Sequence, residues 1–121
     1  MHFRIEREDD VSFIHPVGKF DGGSDSEQLQ TLITEMAESG CHKVVFSFSL
    51  TRWINSCGVG KLIAAKFVVD EYNGRFVLCD LGERNMSVIN TLRLDQIFEI
   101  YDSLQDAAEA LKLDSFSQTP P

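Results

Sequence analysis

Lys43 to Phe48 reads KVVFSF, Ser56 to Tyr72 carries apolar residues at helical spacing until Asn73-Gly74 stops it, and Arg75 to Asp80 reads RFVLCD. Runs rich in β-branched and aromatic residues, bounded by turn residues, are strands, and the periodic segment between them is a helix. A strand, a helix and a second strand in that order imply a parallel crossover, which is almost always right-handed. Such a unit needs a sheet with helices packed on it.

The rest of the chain extends this alternation. FRIER (Phe3 to Arg7) and VSFIHPV (Val11 to Val17) are short strand candidates joined by the acidic turn Glu8-Asp9-Asp10, a hairpin that opens the domain. After a loop holding Gly18 and Gly22-Gly23, Ser24-x-x-Glu27 forms a capping box, and Leu29, Leu32, Ile33, Met36 and Ala37 recur at helical spacing until Gly40. Glu83 to Leu92 is a shorter helix candidate and IFEIY (Ile97 to Tyr101) a strand, and Ser103-x-x-Asp106 starts a last amphipathic helix through Leu111. The order β-β-α-β-α-β-α-β-α predicts an α/β fold, a mixed and mostly parallel sheet of about five strands with about four helices. Residues 1–113 are expected to form one domain and the polar, proline-ended 114–121 a frayed tail.

Composition excludes several functions. At 121 residues, 43% hydrophobic and 25% charged, the chain suits a single core. Its apolar runs fall well short of the roughly 20 residues a membrane helix needs, and MHFRIEREDD has charges where a signal peptide would be apolar. A cytoplasmic location is therefore expected. Three cysteines (Cys41, Cys57 and Cys79), widely spaced and without CxxC or Cys/His ligand spacing, read as free thiols, and Cys41-His42 is only a weak hint of a metal pair. A net charge of -8 disfavours nucleic acid and anionic membranes and favours a basic protein surface as partner.

The crevice beyond the carboxyl ends of parallel strands is where such folds carry their sites, and INSCGVG (Ile54 to Gly60) leaves the third strand there. A hydrolase elbow would require glycine two residues before Ser56, where Ile54 stands, and none of His2, His15 and His42 is placed by the sequence to serve as its base. A phosphate-binding loop fails too, because Gly60-Lys61 is followed by Leu62 and no glycine precedes Gly60 by five residues. No enzymatic activity and no cofactor are expected. Taken alone, Asn55 or Ser56 is an ordinary helix N-cap, worth about 1 kcal/mol, and Gly58 and Gly60 relieve crowding against the sheet.

The longer segment VVFSFSLTRWINSCGVGKLIAAKFVVDEYNGRFVLCDL resembles the STAS family, the fold of anti-sigma factor antagonists, whose pattern here is close to VVLDLSGVxFIDSSGLGxLL. VGKFDGGSDSEQLQTLI resembles the family's GxLD loop and first helix, and NTLRLDQIFEIYDSLQDAAEAL its ending, TGLDxLFEIYxSxEEAL, so the likeness covers residues 3–112. Four positions depart from it: Ser47 and Asn55 stand for aspartates, Cys57 for the residue after the modified serine, and Arg93 for a glycine. Asp21 and Ser56 are retained.

The resemblance implies that Ser56 occupies the position a partner kinase phosphorylates, flanked by Asp21 and Asn55. It also implies that the unphosphorylated surface, drawn from Asp21, Gly22, Trp53, Asn55, Ser56, Cys57, Gly58 and Val59, binds an anti-sigma factor that is itself a serine kinase of the histidine-kinase-like ATPase type. A homodimer is left open. The alternative is a STAS interaction module without phosphorylation, in a signalling scaffold or a lipid-transport complex, which the missing carboxylates at 47 and 55 favour. Trp53 serves as an interface anchor or as a lid on the core edge; Cys57 as a redox-sensitive thiol or, more commonly for a lone cysteine, as a small buried filler. Arg52 and Lys61 either pair with acidic partner groups or merely solvate the surface.

Overall fold

The computed structural model describes residues 2–22 and 25–117, with side chains over 3–22 and 28–112. Strand β1 (His2–Glu8) turns back through Asp9, at φ 57, into β2 (Val11–Phe20) as an antiparallel hairpin with Glu8 opposite Val11 and Ile5 opposite Ile14. Aspartate tolerates the left-handed backbone of so short a connection. Helix α1 (Asp25–Glu38) leads to β3 (Lys43–Ser47), α2 (Ser56–Glu71) to β5 (Arg75–Cys79), and α3 (Glu83–Thr91) through a short helical turn at Leu94–Gln96 to β6 (Glu99–Tyr101). The α1 capping box rests on Ser24, which lies outside the described residues.

The sheet has six strands, one more than the sequence predicts, in the order β1-β2-β3-β5-β6, with β4 (Thr51–Ile54) joining β2 alone. Every pairing but β1 with β2 is parallel. The extra strand also explains why β2 outruns its expected end at Val17. Its first half pairs with β3, and after a register shift between Gly18 and Lys19 its last residues pair with β4, so Phe20 lies beside Ile54. β3 lies centrally and all five of its residues are buried, as expected for a parallel strand covered on both faces.

The two faces carry separate cores. On one, Ile14, Phe20, Val44, Phe46 and Leu78 meet Leu29 and Ile33 of α1, Leu62, Ala65 and Val69 of α2, and Ile89 of α3. Phe3, Phe20, Phe46, Phe48, Phe76 and Phe98 form a continuous run of rings, successive centroids 5.5 to 6.5 Å apart. Such pairs contribute roughly 0.5–1.5 kcal/mol each beyond their area. On the other face Val11, Phe13, Val45, Val77 and Cys79 meet Ala107 and Leu111 of α4 (Leu104–Ser117). α4 thus continues past Leu111 into the stretch expected to be tail, and residues 118–121 lie outside the described ones. Among the described residues no helix is long and apolar enough to cross a membrane.

Candidate functional site

Two segments far apart in sequence meet at the carboxyl ends of β2 and β4. The Asn55 N–H donates to the Phe20 carbonyl at 3.3 Å, tying the start of α2 to the last residue of β2. Directly above, Gly58 packs so closely on Phe20 that a Cβ there would lie 2.1 Å from the Phe20 oxygen. Gly22 has φ +80, and a Cβ on it would stand 2.6 Å from the Cβ of Cys57. Both glycines are therefore demanded by close approach of two backbones, and Gly22 by its left-handed conformation as well. In consequence the loop after β2, with exposed Asp21, lies against the first turn of α2.

Asn55 is the N-cap: its backbone is extended and its Oδ1 accepts from the Gly58 N–H at 2.9 Å. The ambiguity between Asn55 and Ser56 is thereby settled, and Ser56 becomes the first helical residue, exposed like Cys57 beside it. A helix leaves its first N–H groups without intrahelical partners, and the first turn of α2 holds no acidic side chain to offset the positive end of the dipole. Gly58 and Val59 are buried, so they hold the helix end in place from beneath. Trp53 is half-buried on β4, and the Lys19 ammonium stands 5.8 Å from its ring centroid, in cation–π range.

Helix α3 completes the surroundings, and its share was not legible in the sequence. The buried Asn85 amide reaches the Thr51 carbonyl at 3.4 Å and fixes α3 against β4. Between α3 and the start of α2 lies a groove of about 260 Å³ lined by Ile54, Asn55, Ser56, Ser87, Val88, Thr91 and Leu92. Its lining is mainly apolar, and Leu92 is 44% exposed beside it. The sequence marks Glu83 to Leu92 as a short helix, but nothing in one sequence says which neighbour that helix meets.

The serine at position 47 has a specific partner. Its Oγ donates to Asp80 Oδ2 at 2.7 Å, so a carboxylate from the end of β5 stands beside the end of β3. Burial first, and then the Asp80 carboxylate, pushes the Cys79 thiol up to about 12, so it stays protonated at neutral pH and is no nucleophile. Cys41 is buried with its sulfur 2.8 Å from Ser12 Oγ, while the neighbouring His42 ring turns instead to the Ala37 carbonyl at 3.2 Å. Among the described residues no group of three His, Cys, Asp or Glu side chains is placed to hold a metal ion.

Known proteins share this architecture. TM1081 of Thermotoga maritima superposes with a TM-score of 0.83 at 22% identity, over 91% of this chain and 94% of its own. An anti-sigma factor antagonist from Mycobacterium paratuberculosis gives 0.79 at 24%, over 91% and 92%. The anti-sigma factor antagonist SpoIIAA in its unphosphorylated form gives 0.69 at 18%, over 97% and 99%. The sequence pattern of the STAS domain matches residues 2–107. With that match over nearly the whole chain and the same fold in these structures, the protein belongs to the STAS domain family.

Proposed function

We propose that this protein is a binding switch of the anti-sigma factor antagonist kind, acting in the bacterial cytoplasm. With Ser56 unmodified it binds an anti-sigma factor that is also a serine kinase of the histidine-kinase-like ATPase type, and phosphorylation of Ser56 breaks the contact, without catalysis by the chain itself. The observation that supports this reading is the placement of Ser56: exposed, at an N-terminus with no acid in its first turn, on the rim of an apolar groove. A phosphate adds roughly -1.5 to -2 charges, which the free N–H groups and dipole accommodate while a docked apolar partner does not. The modification therefore changes affinity and leaves the fold alone.

The neutral Asn55 cap favours a second reading, a STAS module that docks a scaffold or lipid-transport subunit without being phosphorylated. Capture of partners from native lysate separates the two. A histidine-kinase-like ATPase supports the first, and a transporter subunit as sole partner overturns it. With that kinase in hand, Asn55→Asp is expected to speed phosphate incorporation at Ser56 while leaving association unchanged, because a group that only aligns the hydroxyl acts in the transition state. Stability should hardly move, since aspartate caps as well as asparagine. Equal rates for both forms, with mass spectrometry locating the phosphate, would show the carboxylate to be dispensable.

A further inference from the structure

Strand β1 is an outer strand of the sheet, paired on one side only with β2, and its free edge runs the full length from His2 to Glu8. An outer strand offers unpaired backbone N–H and C=O groups to any second strand that can match it. Short edges, proline and like charges are the usual protections. β1 is long and has no proline, and all its residues from Arg4 to Glu8 are exposed, including the apolar Ile5 at 45%.

The charges on β1 decide which strand can pair there. Arg4, Glu6, Arg7 and Glu8 sum to zero, in contrast to the -8 of the whole chain, so this edge escapes the repulsion between two copies better than most of the surface. Two copies that continue one sheet through a twofold axis perpendicular to it must pair antiparallel, with facing residues on the same side of the sheet. Three central registers satisfy that condition. Centring on residue 4 sets Arg4 against Arg4, and centring on residue 6 sets Glu6 against Glu6, each a like-charge contact at the axis. Centring on Ile5 sets Ile5 against Ile5, Arg4 against Glu6 twice, and Phe3 against Arg7 twice. Of the three, this is the register with an apolar pair at the axis and opposite charges on either side of it. Arg4 and Glu6 form no salt bridge with any described residue of their own chain, so neither is drawn away from the edge.

We infer that the partner of this edge is a second copy of the same chain, joined β1 to β1 antiparallel about Ile5, with reciprocal Arg4–Glu6 pairs across the twofold axis. The join makes one continuous sheet and puts both α4 helices on the same face of it. The Ser56 site lies at the carboxyl ends of β2 and β4 rather than along this edge, so pairing leaves it accessible and the assembly presents two copies of it.

Charge exchange tests both partner and register, read by sedimentation velocity from micromolar concentration to about 1 mM. The wild type is expected to dimerise. Arg4→Glu and Glu6→Arg each turn two facing pairs into like charges and are expected to weaken the dimer at least about tenfold. The double exchange Arg4→Glu with Glu6→Arg restores opposition and should recover dimer, and so should an equimolar mixture of the two single variants, which can pair only with one another. Circular dichroism confirms that these exposed substitutions leave the fold in place. A wild type that stays monomeric at about 1 mM overturns the inference, as does a dimer that both single variants retain or one that neither the double exchange nor the mixture restores.

Discussion

Ser56→Asp is expected to lower the affinity for the docking partner by more than about 1.4 kcal/mol, a tenfold change, while Ser56→Ala leaves it nearly intact. A carboxylate there lies at the start of α2, where the dipole and the outward N–H groups accept it, so folding stability should shift by no more than about 0.5 kcal/mol. The loss arises at the rim of the groove formed with Val88 and Leu92, where burying an added negative charge against a partner costs desolvation that the hydroxyl does not incur. Calorimetric titration of the partner against wild type, Ser56→Asp and Ser56→Ala measures it. Equal affinities for the aspartate and alanine forms would remove Ser56 from the contact surface.

Gly58→Ala should be among the most damaging small substitutions in the chain. The added methyl would meet a backbone oxygen at 2.1 Å and the Phe20 ring at 2.5 Å, and backbone cannot give way as a flexible side chain can. Relief requires α2 to lift from the end of β2, which also strains the 3.3 Å hydrogen bond from Asn55 to Phe20. A loss of about 3 kcal/mol is expected, near the top of the usual overpacking range, lowering the melting temperature on the order of 10 °C. Two residues on, Gly60→Ala has the opposite sign. Nothing lies within 4 Å of its Cβ position and the site is exposed on the same helix, so it should stabilise by up to about 1 kcal/mol. Urea denaturation of the two variants in parallel isolates the close approach from helix propensity, and a similar loss in both would refute the crowding.

Much of the architecture was legible because hydrophobic period and turn residues coincide in this chain. KVVFS is apolar without alternation and lies buried at the centre of the sheet, and the Glu8-Asp9-Asp10 turn joins two antiparallel strands. β4 was missed since TRWI has only four residues and follows Ser49-Leu50 with no glycine or proline to set it off. Nor does it alternate: buried Thr51 and Ile54 lie three apart, with exposed Arg52 and half-buried Trp53 between them. At the site, INSCGVG pointed to the right helix start, and the cap there is Asn55. What it could not reveal were the partners brought in from a distance: Phe20 beneath Gly58, Cys57 against Gly22, and α3 across the groove. These depend on how separate elements dock, and periodicity within one element carries no record of it.

The hydrogen bond from Ser47 to Asp80 makes two positions of the sheet interdependent. A designer restoring the commonest family residue at each site would write aspartate at position 47 and expect a gain. In this background the change would place two carboxylates within hydrogen-bonding distance at a position with no solvent exposure, where both cannot ionise and one must retain a proton. Ser47→Asp should therefore destabilise, and moving the acid across with Ser47→Asp and Asp80→Ser together should recover most of the loss. Choosing each residue by itself treats positions as independent, whereas at this pair of strand ends the residue at one decides what the other can hold.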